Sequence, residues 1–268
     1  MVDLGLPSGT LWATRDIDLT KASKFADTPF VYEVSFFSWG NIDGHNPTSP
    51  TSFDGSYDWG GINEDAPYYE GQVYGSTPGA ELTTSFTPGS GHDAARENLG
   101  APWRIPSAED FIELMSNVVF IDADGNDIPE AQTSKMVTVN GIVGVYLRSV
   151  INGNKIFFAC SGYGSRLNWL FRGLGGRYTT SDIYNPTKQY MRFFYIGVLE
   201  GTVYISAGPR YDGRVIRPVQ SGPSRLSASE LQAYRKRLQL QSQLAASQLD
   251  GDLGTVQPMP VTPVETQL

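Results

Sequence analysis

Residues that could carry chemistry concentrate between positions 161 and 214, where aromatic and arginine side chains are dense. This stretch holds eleven Tyr, Trp or Phe residues and six arginines, against the single lysine Lys188. Such side chains supply a large contact area at a low cost in conformational entropy, and they also carry polar groups for hydrogen bonds. The chemistry that this composition favours is non-covalent recognition.

The residues that covalent catalysis needs are sparse. The two histidines, His45 and His92, have no nucleophile motif such as G-x-S-x-G beside them. Cys160 is the single cysteine, and its apolar run "IFFAC" predicts a buried, unreactive thiol. The sequence also lacks a phosphate-binding loop and a dinucleotide fingerprint. We therefore expect no enzymatic activity.

Calcium is the one cofactor that the sequence leaves open. The run "DADGND" at 122–127 clusters Asp122, Asp124, Asn126 and Asp127, but its Gly falls at the fourth position and no Glu closes the loop at the twelfth. A hairpin turn is the expected structure there. The Glu-Pro-Asn and Trp-Asn-Asp signatures of calcium-bridged sugar binding are absent. A second acidic loop contains Asp43, Asp54, Asp58, Glu64 and Asp65.

Composition restricts the class of protein. The 268 residues are 18% charged and carry a net charge of −8, so nothing draws the whole chain to nucleic acid or to anionic lipid. No apolar run approaches the roughly 18 residues of a membrane span. The N-terminus lacks the basic start and apolar core of a signal peptide. Either a leader was removed, or the protein is made and assembled in a cytoplasm.

Short β-like runs separated by turn clusters dominate the chain up to residue 220. Asn-Gly at 140–141 and Asn-Gly-Asn at 152–154 are typical of hairpin turns between such runs. By contrast, 164–185 has too many glycines for a helix and no steady alternation for a strand, so we expect it to be irregular. The predicted β-rich runs are 30–37, 136–160, 191–206 and 214–219.

One helix is predicted inside this region. Ser107 is a good N-cap and Asp110 follows three residues later, in the capping-box arrangement. The apolar residues that follow have helical spacing and indicate a core-packing face. They are Phe111, Leu114, Met115 and Val118.

Residues 221–268 differ in character, and we divide the chain into 1–220 and 221–268. Ser227 and Glu230 form a second capping box, which precedes an amphipathic helix, and a Pro-punctuated tail follows. Two alternatives remain for this helix: docking on its own domain, or oligomerisation and attachment to a larger assembly. Membrane binding is not expected because the stripe lacks Trp and Phe. The stripe consists of Leu231, Tyr234, Leu238 and Leu244.

Three blocks of sequence carry a resemblance to a known family. They are "VDLGLPSGTLWAT" at 2–14, "HDAARENLGAPWRIPSAEDFIELM" at 92–115 and "GRVIRPV" at 213–219. Together they resemble the Fibrobacter succinogenes major paralogous domain, a family of Bacteroidetes bacteria and their phages. That family looks like a branch of the C-type lectin-like fold and is related to the formylglycine-generating enzyme. The resemblance covers roughly residues 2–219.

The resemblance implies an α+β fold of C-type lectin-like type. A small twisted antiparallel sheet would carry two flanking helices and long loops, and the strand in 214–219 would run beside the first one. In the shared blocks, Pro7 and Gly9 would make a turn that delivers Leu11 and Trp12 to the core. Trp103 would pack under the helix.

Polar residues of the shared blocks are expected to maintain the fold. We expect Arg104 to pair with Glu109 or Glu113, at the edge of the core. Asp93 and Arg96 would do similar structural work. The formylglycine-generating activity itself is not implied, because Cys160 is alone in an apolar strand.

In C-type lectin-like proteins the segment before the last strands forms the ligand surface, which here corresponds to 161–214. Some phage members of the lineage are also targets of diversity-generating retroelements, which vary such positions around a fixed "W..RG" and "RPV" framework. Trp169, Arg172 and Gly173 match the first part of that framework. The candidate ligand-binding residues are Arg166, Trp169, Leu170, Phe171, Leu174, Arg177, Tyr190, Arg192, Phe194, Tyr211, Asp212 and Arg214.

We therefore expect a non-enzymatic binding protein of a phage virion, of tail or head fibre type, made in the host cytoplasm. It would recognise a bacterial surface glycan or protein through 161–214. Residues 221–268 would contact other virion proteins or form a homo-oligomer. Two alternatives are a structural decoration or assembly protein of the virion, and a Bacteroidetes cell-surface adhesin.

Overall fold

The computed structural model describes residues 1–53, 85–184, 190–197 and 201–250, with side chains described as far as 244. Strands account for 37% of the described residues and helices for 16%, which confirms that this part of the chain is β-rich with few helices. The acidic residues Asp54, Asp58, Glu64 and Asp65 lie outside the described residues, as do Lys188 and the tail 251–268.

The largest sheet in the described part of the chain has nine strands and includes most of 161–214. Seven of them form its main path, in the order β14 (Thr202–Pro209), β13 (Tyr190–Gly197), β12 (Gly175–Ile183), β10 (Ser161–Ser165), β11 (Asn168–Leu170), β5 (Ser52–Phe53) and β4 (Pro47–Ser49). Off this path, β15 (Arg214–Val215) pairs in parallel with β12, and β3 (Phe36–Phe37) pairs with β15.

The irregular structure predicted for 164–185 is therefore wrong, because this stretch contributes to three strands. The reason is that its glycines lie where two backbones approach closely. A Cβ at Gly175 would come within 3.2 Å of the Ile196 carbonyl oxygen, and one at Gly176 within 3.0 Å of the Ala159 carbonyl oxygen. Strands built on such contacts lack the alternation of side chains from which strands are recognised.

A second sheet has four antiparallel strands arranged around a central strand, β8 (Ile142–Ser149), and the two predicted hairpin turns belong to it. Asn140 and Gly141, at φ 51° and 80°, connect two of its strands as a two-residue turn with positive φ requires. Residues 150–154 connect the next pair. The strands are β6 (Val118–Ile121), β7 (Val137–Val139), β8 (Ile142–Ser149) and β9 (Lys155–Ala159).

A third sheet joins the start of the domain to its end. Its strands are β1 (Val2–Asp3), β2 (Thr10–Trp12) and β16 (Val219–Ser221), and Trp12 lies opposite Val219. The predicted turn is present, since Gly9 has a φ of 81° and donates to the Leu6 carbonyl. Trp12 is fully buried, but Leu11 points to the other side and is only half-buried.

The helices are α1 (Ala94–Leu99), α2 (Ala108–Ser116) and α3 (Ala228–Asp250). Ser107 and Asp110 form the predicted capping box of α2. Arg104 pairs with Asp110 at 2.5 Å, not with Glu109 or Glu113. The reason is that Asp110, in the first turn of the helix, points back towards Arg104, which forms an isolated backbone bridge with Val219.

Two neighbours of this pair also serve the fold. The Asp93 carboxylate accepts from the backbone N–H groups of Arg96 and Ile105, so it caps α1 as expected for a structural residue. Trp103 is half-buried and its ring lies 5.4 Å from that of Phe25. The contact of Trp103 with Phe25 is thus established, whereas its packing under α2 stays a prediction.

The main core lies between α2 and the inner face of the large sheet. The Phe111 ring stacks on Phe194 at 4.6 Å and meets Trp12 edge-on at 4.9 Å. Arg217 is fully buried beside this core, where its Nε atom donates to Asp16 at 2.7 Å. Within the shared "RPV" block, the arginine thus holds the frame together.

Helix α3 packs against α2, which is the first of the two predicted alternatives for this helix. Its Leu238 is 5% exposed and Ser242 accepts a hydrogen bond from Arg192. Leu240 and Leu244 are 52% and 65% exposed. In the part of the chain that the structure describes, none of the helices combines the length and the apolar character needed to cross a membrane.

Candidate recognition surface

Two tight turns carry the most exposed apolar side chains among the described residues of 161–214. The first joins β10 to β11 through Arg166 and Leu167, and the second joins β11 to β12. Leu167, Phe171 and Leu174 are 42%, 46% and 50% exposed. We call the surface that they share with their neighbours the outer patch. It consists of Tyr163, Arg166, Leu167, Leu170, Phe171, Leu174 and Arg177.

The backbone of both turns is strained. Arg166 has a φ of 54° and Phe171 a φ of 58°, in the left-handed region that favours glycine. For residues with a Cβ this conformation costs about 1–2 kcal/mol each. The Phe171 carbonyl accepts from the N–H groups of Leu174 at 2.9 Å and Gly175 at 3.0 Å, which fixes the second turn. Such strain often marks positions where a side chain is held for a purpose.

A stack of alternating rings and guanidinium groups fixes the outer patch to the interior. Phe171 stacks on Tyr163 at 5.9 Å, and the Arg177 Cζ atom lies 3.5 Å from the centre of the Tyr163 ring. Arg177 and Arg214 both lie against Phe193, at 5.4 Å and 4.6 Å. Cation–π contacts of this kind immobilise long side chains that would otherwise lose entropy on binding.

One carboxylate serves both arginines of this stack. Asp212 Oδ2 lies 3.3 Å from Arg214 and 3.7 Å from Arg177. Burial raises the pKa of Asp212, and the two arginines act against that rise. Burial also lowers the pKa of Arg214 to about 10, so both arginines are charged at neutral pH. Two cations and one anion leave an excess of positive charge behind the outer patch.

A third arginine supports the patch from the side. The Arg172 Cζ atom lies 4.9 Å from the centre of the Tyr32 ring and 5.1 Å from that of Trp169, and its Nη2 atom donates to Glu33 at 2.8 Å. Trp169 is 4% exposed and donates through Nε1 to the Ser161 carbonyl at 2.6 Å. The "W..RG" block thus anchors the strand between the two turns.

The structure brings five of the predicted ligand-binding residues together on the outer patch. Leu170 lies opposite Tyr163 in the strand pairing and therefore on the same face. These five are Arg166, Leu170, Phe171, Leu174 and Arg177.

Four other predicted residues are inside the protein, and the expectation that they face outward is wrong. Trp169, Phe194, Asp212 and Arg214 are between 0% and 4% exposed. Trp169 and Phe194 pack in the core, and Asp212 and Arg214 belong to the stack beneath the patch. They position the surface and do not form it.

The remaining three lie elsewhere. Tyr190 and Arg192 are on the face of β13 that carries Phe194, since side chains alternate along a strand, and Arg192 bonds to Ser242 of α3. Tyr211 is half-buried, and its carbonyl accepts from the Ser38 hydroxyl at 3.0 Å. Sequence reasoning missed Leu167 and Tyr163, although a two-residue turn after a Gly-rich strand would have indicated the first of these.

None of the described residues that were considered for catalysis or metal binding belongs to the outer patch. Cys160 is buried, and burial raises the pKa of its thiol to about 12. Burial has the opposite effect on His45, where it lowers the pKa of the imidazole because burial disfavours the charged form. The predicted turn at 122–127 is confirmed, with Asp122 accepting from the N–H groups of Asp124 and Asn126. Among the described residues, no three or more His, Cys, Asp or Glu side chains are grouped to hold a metal ion.

The arrangement can bind a ligand with little reorganisation, because its rings and guanidinium groups are already held by one another. Comparisons of the chain with family models, with curated proteins and with solved structures find no match. The function is therefore argued from the outer patch and from the frame that holds it.

Proposed function

We propose that the chain is a non-enzymatic binding module that recognises a bacterial surface through the outer patch. The observation that carries this proposal is the pair Phe171 and Leu174, two large apolar side chains about half exposed beside arginines at a strained turn. Exposed apolar groups next to arginine are typical of binding surfaces. Strain at such a position is retained when function needs it.

The finer fold assignment belongs to this proposal. A C-type lectin-like domain of the Fibrobacter succinogenes type is supported by the pairing of β2 with β16, which places the two shared end blocks side by side. It is further supported by Ser107, which caps α2 within the middle shared block at 92–115. Arg217 of the closing block is bound to Asp16, two residues beyond the opening one.

The setting that we propose for the module is a phage particle assembled in the host cytoplasm. Variation of the outer patch by a diversity-generating retroelement fits a frame whose arginines and rings are buried while the turn residues are exposed. The gene tests this part: a near-copy of codons 161–219 beside a reverse-transcriptase gene is expected. A gene neighbourhood with neither of these would contradict it.

Attachment through 221–268 is also a proposal. The first half of α3 is docked on α2, so truncation after Leu244 keeps the contacts of Leu238 and Ser242. We expect the truncated protein to fold but to lose incorporation into particles or to fall in oligomeric state by light scattering. Unchanged incorporation together with an unchanged oligomer would contradict the proposal.

The main test measures binding of the purified chain to a panel of Bacteroidetes cells by flow cytometry. The triple variant Phe171→Ala, Leu174→Ala, Arg177→Ala should lose binding and keep a cooperative unfolding transition. Leu240→Ala is a matched control, since Leu240 and Leu174 are 52% and 50% exposed. Full binding by the triple variant would contradict the proposal. Failed particle assembly with intact cell binding would instead indicate that the patch contacts a neighbouring virion subunit.

A further inference from the structure

The outer patch differs in chemistry from a carbohydrate site, and this narrows the class of its ligand. Building on the proposed function, we infer that the partner is a protein surface that offers carboxylate groups beside an apolar pocket. Three observations lead to this: the exposed aliphatic side chains of the patch, the contacts that its aromatic rings already make, and its local positive charge.

Aliphatic side chains form much of the surface. Leu167 and Leu174 are 42% and 50% exposed, and Leu170 lies between the turns that carry them. A leucine has no group that can bond to a hydroxyl, so covering it with a sugar would leave sugar hydroxyls without partners. A protein pocket gains free energy by taking up such a side chain.

The rings do not form an open platform for stacking a sugar. Tyr163 already contacts Phe171 at 5.9 Å and the Arg177 guanidinium at 3.5 Å. Phe171 uses its inner side for the same stack and projects from the turn. It therefore resembles an anchor that enters a pocket, and not a flat surface that supports a ring.

Carboxylate acceptors for sugar hydroxyls are also scarce among the described residues. Of the two carboxylates that these residues place at the patch, Glu33 accepts from Arg172 at 2.8 Å, and Asp212 is 4% exposed. The charged groups of the patch itself, Arg166 and Arg177, are donors only, since an arginine has N–H groups and no acceptor. Neutral hydroxyls, which need both donors and acceptors, are a poor match for this surface.

Charge favours a partner that carries carboxylates. In the described part of the chain, four arginines (Arg166, Arg172, Arg177 and Arg214) and the two carboxylates just named lie around the patch, so four positive and two negative charges leave an excess of two positive charges. The whole chain has a net charge of −8, so the patch is locally opposite in sign. Complementary carboxylates on the partner would speed association and fix its orientation.

The experiment uses the purified full chain on cells of a strain that it binds, after two separate treatments. Proteinase K removes surface proteins, and periodate cleaves the vicinal diols of glycans. We expect protease to abolish binding, periodate to leave it within about twofold, and a rise from 50 to 300 mM NaCl to weaken it about tenfold. Loss after periodate with survival after protease would overturn the inference in favour of a glycan, while the proposed function would stand.

Variants test the two features of the partner separately. Leu174→Ala should raise the apparent Kd about tenfold, with Leu240→Ala as the matched control. Arg166→Glu should weaken binding about tenfold at low salt and less at high salt, whereas Lys236→Glu on α3 should leave it unchanged. Equal effects of Arg166→Glu and Lys236→Glu would contradict the charge argument. Absence of wild-type binding to every strain would refute the proposed function, and with it this inference.

Discussion

Replacing Phe171 by glycine and, separately, by alanine tests whether the outer patch depends on a strained backbone. Phe171 has a φ of 58°, which costs a residue with a Cβ about 1–2 kcal/mol. Alanine keeps that cost and glycine removes it, but glycine loses about 0.5–1 kcal/mol through the greater freedom of its unfolded chain. We therefore expect the glycine variant to be the more stable of the two, by about 0.5–1 kcal/mol.

Relative to the natural chain, both variants lose the stack of Phe171 on Tyr163. An aromatic pair contributes about 0.5–1.5 kcal/mol, and the 46% exposure of Phe171 places this pair at the lower end. We expect the glycine variant to lie within about 0.5 kcal/mol of the natural chain, and the alanine variant about 0.5–1 kcal/mol below it. Both should lose cell binding, because the ring is the anchor of the patch.

Urea denaturation followed by tryptophan fluorescence measures this order directly. In thermal unfolding, 1 kcal/mol corresponds to about 2–4 °C in a domain of this size. The matched control is Leu174, whose φ is not positive, so there alanine should be more stable than glycine. An alanine variant of Phe171 at least as stable as the glycine variant would refute the argument from strain. Cell binding retained by the glycine variant would show that the ring is not a contact.

Three further predictions concern the frame beneath the patch. Asp212→Asn should lower the free energy of unfolding by about 3 kcal/mol, because it leaves the fully buried Arg214 cation short of its counterion. Adding Arg214→Met removes that cation and should recover part of the loss in urea denaturation. Additive losses in the double variant would contradict that reason. Burial alone would raise the pKa of Asp110, but Arg104 and Ser107 hold it below the ordinary value. The contribution of Asp110 to the free energy of unfolding should therefore be complete above about pH 4 and be lost as the pH falls through the lowered pKa. Asp110→Asn should then flatten the acid side of the curve of stability against pH. An unchanged curve would contradict this. Cys160 should react with a thiol reagent only after unfolding, because burial raises its pKa to about 12; rapid reaction of the folded protein would be inconsistent with the core described here.

The elements with strong local signals could be predicted from the sequence. The capping box at Ser107 and the Asn-Gly turn at 140–141 depend on a few neighbouring residues, and the structure confirms both. The 164–185 stretch could not be predicted, because its strands depend on glycines that meet distant backbone, as Gly176 meets Ala159. That contact is set by tertiary packing and leaves no local periodicity.

The candidate site could be predicted only in part, again because tertiary packing leaves no local signal in the sequence. Composition identified the segment rich in aromatic residues and arginine, but composition does not assign residues to the two faces of a strand. Alternation along β13 separates Arg192 from the outer patch, and long-range pairing buries Arg214 against Phe193. An arginine in a binding segment is indistinguishable by sequence from one that supports the segment from within, because both need an aromatic or acidic neighbour.

Site-specific photocrosslinking on cells tests the recognition role of the outer patch most directly. The purified chain would carry a photoreactive phenylalanine analogue at position 174 in one preparation and at position 240 in another, two sites of nearly equal exposure. The account predicts a covalent adduct with a cell-surface component from position 174 and none from position 240. Adducts from position 240 alone, or from neither position on cells that the protein binds, would contradict it.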